Sequence, residues 1–482
     1  MRKTVSFLTM LSLLCWAWAS TSAEGELTPK PKRLPNIVFI LADDHRWDFL
    51  GAMGHPFVET PNIDRIAKEG VLFENAFVTS SLCSPSRASF LTGQYPEQHG
   101  VKNNFTPWDN ANITYFEYLK QAGYHTAFIG KWHMPGAIPR LRGMDLFVTF
   151  DHMGGQGAYY NTPYIVNGKA LKAGETPVPG AKVNGYITDD LTNFAMQYVE
   201  DNQDKPFALY LSHKAVHLSM QPDEEAAGRY DDQEIRLPSE ADSWLALADG
   251  NFKHFLWSSL EEKIKDYAET ATAMDQQIGR LMDKLDELGL AENTLLIYAA
   301  DNGYMWGEHR LIDKRWAYEE SMRVPFVVRY PGAGYRPGQR SSEMILNLDL
   351  APTLLDVAGL KIPGHMQGKS VLPLLQSRES GDQKLPGEFR DAWMYRYFED
   401  FPYPVPAQTA LRTQRYKLID YERGKRDELF DLQSDPREQH NLIDDPAHAA
   451  VQARLRQQLQ LQQQQAAQTH TRQAPAAVAS VE

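Results

Sequence analysis

The run Ile37-Val38-Phe39-Ile40-Leu41 is apolar without interruption and is closed two residues later by Asp43-Asp44. A strand with one wet face alternates apolar and polar side chains, so an unbroken run belongs to a strand buried on both faces of a sheet. Three similar runs follow: Phe207-Ala208-Leu209-Tyr210-Leu211, Leu295-Leu296-Ile297-Tyr298-Ala299 and Val324-Pro325-Phe326-Val327-Val328. Between them lie amphipathic helical patterns, clearest in Ala271, Met274, Ile278, Leu281, Leu285 and Leu288, spaced by three and four and stopped at Gly289. This alternation predicts an α/β fold, a large, mainly parallel sheet sandwiched by helices.

Past about residue 385 the pattern changes to short aromatic segments, Ala392-Trp393-Met394-Tyr395-Arg396-Tyr397 and Tyr416-Lys417-Leu418-Ile419-Asp420-Tyr421, which predict a small antiparallel sheet. The chain therefore divides into an α/β domain over 34–385, a C-terminal subdomain over 386–445 and a Gln- and Ala-rich tail over 446–482. With Gln462 to Gln465 a pure run, the tail reads as a frayed helix followed by a disordered segment. At the other end, Arg2 and Lys3 precede an apolar run from Val5 to Ala19, and small residues continue to Ala23. This is the pattern of a signal peptide over 1–23, so the protein is expected to be exported, periplasmic or secreted. No later stretch reaches the roughly 18 continuous apolar residues of a membrane span.

At 482 residues, 43% hydrophobic and 23% charged, the composition is that of a globular protein with a large core. The net charge of -13 argues against a nucleic-acid partner and repels anions at long range. An anionic substrate must then be captured by a local cationic pocket. Of the two cysteines, Cys15 falls in the leader, and it lacks the preceding small residues of a lipid-anchor site. Cys83 is left without an internal disulfide partner.

Asp43 and Asp44 follow one strand run directly, and Asp301-Asn302-Gly303 follow another. Such residues ordinarily start loops, but two hard-oxygen clusters at strand ends suit a calcium-type cation. Cys83 sits in Leu82-Cys83-Ser84-Pro85-Ser86-Arg87, continued by Ala88-Ser89-Phe90-Leu91-Thr92-Gly93. Pro85 fits a first helical turn, which puts Cys83 at a helix N-terminus, where backbone donors and the dipole favour an anion. This Cys-x-Pro-x-Arg string resembles the signature of the sulfatases, the formylglycine-dependent, calcium-binding members of the alkaline-phosphatase-like superfamily. Gly123-Tyr124-His125-Thr126-Ala127-Phe128-Ile129-Gly130-Lys131-Trp132-His133 is similar to their second signature, and Glu428-Leu429-Phe430-Asp431-Leu432 to the close of their C-terminal subdomain.

The resemblance, strongest to bacterial polysaccharide sulfatases, spans about Pro35 to Leu442. It implies that a maturation enzyme converts Cys83 to formylglycine, whose hydrate attacks sulfur, and that Arg87 holds that nucleophile. It further implies that Lys131 contacts the nucleophile and sulfate and that His133 is the base. His217 would bind sulfate and protonate the leaving group, with His213 the fallback, and Lys314 would clamp sulfate from the opposite side. Calcium would be held by Asp43, Asp44, Asp301, Asn302 and the modified Cys83. His125 is read as structural, and Val216 stands where many relatives have proline.

Export and the abundance of aromatic, Arg and His residues point to a sulfated carbohydrate, a poly- or oligosaccharide such as a glycosaminoglycan or marine galactan, as substrate. His152, Gln156, His365, Arg396 and Arg412 are the candidate sugar contacts. Two other readings use the same scaffold: a phosphodiesterase or phosphonate monoester hydrolase of the same superfamily, and a glycan-binding relative without turnover.

Overall fold

The computed structural model describes residues 33–468 apart from 137–140, 153, 173–174, 240, 242–258, 377–388, 401 and 424. The leader with Cys15, the boundary at 385/386 and the end of the tail lie outside the described residues.

The main sheet is built from β1 (Asn36–Ala42), β2 (Val71–Phe77), β3 (His125–Gly130), β4 (Leu146–Thr149), β5 (Ile165–Val166), β6 (Lys169–Ala170) and β7 (Phe207–Ser212). It is completed by β8 (Thr294–Ala300), β11 (Phe326–Arg329) and β12 (Gln339–Leu346), while β9 (Met305–Trp306) and β10 (Ile312–Asp313) pair separately. The ten strands lie in the order β12-β2-β11-β8-β1-β7-β3-β4-β5-β6. From β8 through β4 every neighbour is parallel, and β1 at the centre has all seven residues buried. The unbroken apolar run is thus a strand covered on both faces. The amphipathic pattern ending at Leu288 belongs to the helix Leu260–Glu287, which closes with Gly289 at φ 65°.

β11 departs from the parallel expectation, running antiparallel to both β8 and β2. A parallel return needs a crossover that carries the chain back to the other end of the sheet. Between β8 and β11 the chain makes only the β9–β10 ribbon and short helical turns such as Glu319–Met322, so it re-enters from the end at which it left.

The aromatic segments form the expected second sheet, antiparallel, in the order β13 (Ala392–Tyr397), β14 (Gln408–Thr413), β15 (Tyr416–Tyr421) and β16 (Glu428–Asp431). Its alternation is used on both faces: Trp393, Tyr395 and Tyr397 join the main core, whereas Met394, Leu411 and Leu418 form a second cluster. That cluster is closed by the helix Ala449–Ala467 through Leu455 and Leu459, with Val451 packed alongside. The frayed helix expected at 446 onward is therefore a packed one, because Val451, Leu455 and Leu459 recur every four residues on one face.

A buried ionic cluster ties the small sheet to the catalytic side. Lys417 Nζ on β15 lies 2.9 Å from Glu319 and 2.5 Å from Glu438, and His309 lies 3.6 Å from Glu320. Burial raises the Glu438 carboxyl from 4.5 to about 7; Lys417 opposes this, and the charges of Glu319 and Glu320 add to it. A carboxyl raised in the folded state stabilises the fold below its unfolded pKa and loses that contribution as pH rises through the folded one. Glu438→Gln should therefore gain stability relative to the parent between about pH 4.5 and pH 7, read as the difference in urea midpoints; parallel pH profiles would show that Glu438 titrates normally.

Candidate active site

Five strands that run the same way deliver their following loops to one edge of the main sheet. Asp43 and Asp44 leave β1, Asp301 and Asn302 leave β8, Lys131 and His133 leave β3, and residues 213–217 leave β7. β2 leads through Ser80 and Ser81 into the helix Cys83–Thr92, whose first residue is Cys83 and which ends before Gly93 at φ 68°. Lys314 follows β10 directly. Because β1 and β8 pair in register up to Ala42 and Ala300, their acidic residues emerge side by side, and Asp301 N–H donates to the Ala42 carbonyl at 3.1 Å.

Cys83 Sγ is fully buried, 3.6 Å from Asp43 Oδ1, 3.2 Å from Lys314 Nζ and 3.9 Å from Lys131 Nζ. Lys131 pairs closely with Asp43, and Lys314 with Asp44. Arg87 donates through Nε to Asp301 at 2.8 Å and through Nη1 to the Lys131 carbonyl at 2.8 Å and Ser212 Oγ at 2.6 Å. Its guanidinium thus faces the carboxylates and the β3–β7 seam. Asn302 Nδ2 donates to Asp44 Oδ1 at 2.6 Å, while Asn302 Oδ1 is buried without a hydrogen-bond partner. His217 Nδ1 donates to the Leu218 carbonyl at 2.7 Å, which leaves Nε2, 3.7 Å from Asp44, as the atom able to take or give a proton.

Gln156 fixes the state of His133. An ammonium can only donate, so the amide oxygen must face Lys131 Nζ, at 2.6 Å. The amide NH2 then donates to His133 Nε2 at 2.6 Å, and that nitrogen is a bare acceptor. His133 is held as a neutral base, in keeping with a pKa pushed well below its usual value by burial and by the Lys131 charge.

The carboxylates carry an electrostatic deficit. Burial would raise Asp43, but Lys131, His217, Arg87 and Lys314 outweigh it and hold the group well below the usual carboxylate range. Asp44 is raised by burial despite Lys314, and burial with the Asp43 charge pushes Asp301 to about 7. The same burial pushes the Cys83 thiol to about 12, so the unmodified thiol is a poor nucleophile. These residues could hold a divalent cation: ligand atoms of Asp43, Asp44, Cys83 and His217 lie within 4.8 Å of one another and Asn302 Oδ1 is an oxygen without a partner, whereas Asp301, expected as a ligand, is outside that group because its oxygens accept from Asp44 N–H and Arg87 Nε.

A family model described as Sulfatase matches residues 35–360, and one described as N-sulphoglucosamine sulphohydrolase, C-terminal, matches 307–465. The chain belongs to the sulfatase family. An N-acetylglucosamine-6-O-sulfatase of Bacteroides thetaiotaomicron is 31% identical over 89% of this chain and 86% of its own. An ulvan-active sulfatase of Formosa agariphila is 30% identical over 87% and 79%. A structure solved in complex with its substrate, D-glucosamine-2-N,6-O-disulfate, superposes with a TM-score of 0.80 at 29% identity, over 90% of this chain and 98% of that one.

All ten residues expected for the sulfatase site line this one edge. His213 does not join them: its ring is wholly buried, neither nitrogen has a hydrogen-bond partner, and burial pushes its pKa to about 3. Among the expected sugar contacts only Gln156 reaches the charged cluster, and it binds Lys131 and His133. His152 is exposed, His365 is buried near the Tyr118 ring, Arg396 pairs with Glu422 at 2.6 Å, and Arg412 lies 3.4 Å from Glu319. Lys214, given no role by the sequence, is nearly buried with Nζ 4.8 Å from the Tyr159 ring centroid, and burial lowers its pKa to about 7. The only sequence signal for it was its place between two histidines after a strand run.

Gly130 sets the spacing of β3 and β7. Its φ is 123°, and a Cβ there would fall 1.8 Å from the Ser212 carbonyl oxygen, the acceptor of Lys131 N–H at 2.9 Å. Gly130→Ala should displace Lys131 and His133 and lower kcat/KM on 4-nitrophenyl sulfate by about 100-fold, with the circular dichroism spectrum retained. A fully active variant would show that the two residues are not held by this seam.

Proposed function

We propose that this sulfatase is an exported enzyme that hydrolyses a sulfate ester on a sulfated poly- or oligosaccharide, with a formylglycine made from Cys83 and with calcium at the strand-end oxygens. The observation that carries the reading is Cys83 at a helix N-terminus, flanked by Lys131 and Lys314 and set above three buried carboxylates. The carbohydrate class is supported by the N-acetylglucosamine and ulvan relatives and by the neighbour bound to a glucosamine disulfate. Export is supported by the charged and apolar pattern of the first 23 residues.

Asp43, Asp44, Asp301, Asn302 and the modified Cys83 would hold the calcium, which supplies Lewis-acid polarisation of the ester and the nucleophile. The formylglycine, installed by a maturation enzyme, supplies the attacking hydroxyl. Arg87 positions the carboxylates through Asp301. Lys131 and Lys314 bind sulfate oxygens from two sides as point charges. His217 Nε2, bare while Nδ1–H is held by the Leu218 carbonyl, would first take a proton from solvent and then pass it to the departing sugar oxygen, and neutral His133 would take up the proton released when sulfate leaves.

Peptide mass spectrometry on protein made with the maturation enzyme should find Cys83 as the aldehyde, and Cys83→Ala should lose about 1,000-fold or more in turnover with the fold intact. An intact thiol in fully active protein would sink the nucleophile assignment. Chelation should abolish activity and calcium should restore it, with Asp301→Ala losing metal and turnover together; stoichiometric zinc in active enzyme would contradict oxygen-only ligation.

A panel of heparan, chondroitin, carrageenan and ulvan fragments should reveal sulfate release from at least one glycan. Bis-4-nitrophenyl phosphate is expected to be the poorer substrate. Efficient turnover of the diester, or of simple aryl sulfates alone, would move the enzyme to another class.

A further inference from the structure

The loop after β13 and the β15–β16 turn form, with the segment that follows Lys314, a cleft of about 540 Å³. It is lined by Trp316, Tyr403, Pro404 and Val405 together with Glu399, Arg423 and Lys425, whose Nζ lies 5.0 Å from the Trp316 ring centroid. The volume falls within the about 300–1,000 Å³ of sites that take small molecules.

Two lines of contact tie this cleft to the nucleophile. Trp316 is two residues from Lys314, which touches Cys83, and the Arg315 guanidinium between them stacks on the Tyr403 ring at 3.5 Å. On the other side, Arg315 lies 3.2 Å from Asp400, Asp400 accepts from Asn104 N–H at 3.3 Å, and Asn104 accepts from Ser84 N–H at 3.1 Å. The cleft wall is thus built on the residues that flank Cys83.

The charge pattern narrows the ligand. Arg423 is paired with Glu399 at 2.5 Å, and Lys425 at the back is paired with Glu428 at 3.0 Å. No unpaired cation faces this space among the described lining residues, in contrast to the sulfate end of the site. What the cleft offers is aromatic and proline carbon surface for C–H groups, with a carboxylate and a guanidinium that can exchange their mutual contact for hydroxyl groups.

We propose that this cleft is a subsite for a second pyranose ring of the glycan, adjoining the ring that carries the scissile sulfate, and that it needs no sulfate on that second ring. This rests on the carbohydrate reading above. The enzyme then favours a chain over a single sugar.

The test compares kcat/KM on a sulfated monosaccharide with that on an oligosaccharide containing the same sulfated unit next to an unsulfated ring, for the parent and for Val405→Trp, which fills the cleft. The parent should prefer the oligosaccharide, and the variant should lose about tenfold or more of that ratio. Saturation-transfer NMR with the unsulfated oligosaccharide should show contact to the parent and weaker contact to the variant, a readout independent of turnover. If the parent cleaves both substrates and the ratio is the same in the variant, the subsite is overturned and the sulfatase reading stands. If the parent cleaves neither sulfated sugar, the carbohydrate reading falls and the subsite with it.

Discussion

Three carboxylates, Asp43, Asp44 and Asp301, are buried together at the ends of two neighbouring strands, and the rest of the site is a response to that constraint. Like charges withdrawn from water destabilise a fold by several kcal/mol each unless cations reach them. Here the cations come from separate elements: Arg87 from the Cys83 helix, Lys131 from the end of β3 and Lys314 from the β9–β10 ribbon. The sheet, the helix and the ribbon are locked to one another by this exchange of charge. Lys131 and Lys314 also flank the sulfur of Cys83, so the groups that neutralise the carboxylates are those best placed to meet an anion. A dication taking over as the carboxylates' counter-charge would free both ammoniums for a sulfate ester.

That arrangement reconciles the site with the whole molecule. A chain of net charge -13 repels an anionic sulfate ester at long range, yet within about a Debye length of 8–10 Å the local cations decide the sign of the potential. Capture is therefore short-range, and binding should owe little to steering. A helix N-terminus at Cys83 reinforces the local field with backbone donors rather than with further side-chain charge.

The parts legible in the sequence were those set by local rules. Uninterrupted apolar runs fixed β1, β7 and β8 as doubly covered strands, and polar residues just past each run marked the functional edge. Pro85 placed Cys83 in a first helical turn. What escaped depended on connections and on distant partners. The antiparallel course of β11 follows from the missing crossover between residues 301 and 325, not from its own composition. The terminal helix looked frayed because its Gln-rich surface masks three apolar positions that have value only once Met394, Leu411 and Leu418 face them. Gln156 lies 23 residues beyond His133, and no periodicity signals that its amide bridges His133 and Lys131.

The same distinction separates the chemistry from its specificity. The strand-end residues are placed by sheet register, which leaves them little room to shift, and they converge on Cys83. The proposed subsite, by contrast, is made of elements whose positions are set by packing on that scaffold: the loop after β13, the β15–β16 turn and the segment between Lys314 and Tyr318. Those elements are held by the alternating faces of the small sheet, with Trp393 and Tyr395 anchored in the main core and Tyr395 Oη donating to the Arg315 carbonyl at 2.8 Å. A change in the small sheet can therefore move the cleft wall without touching the register that aligns Asp43 with Asp301.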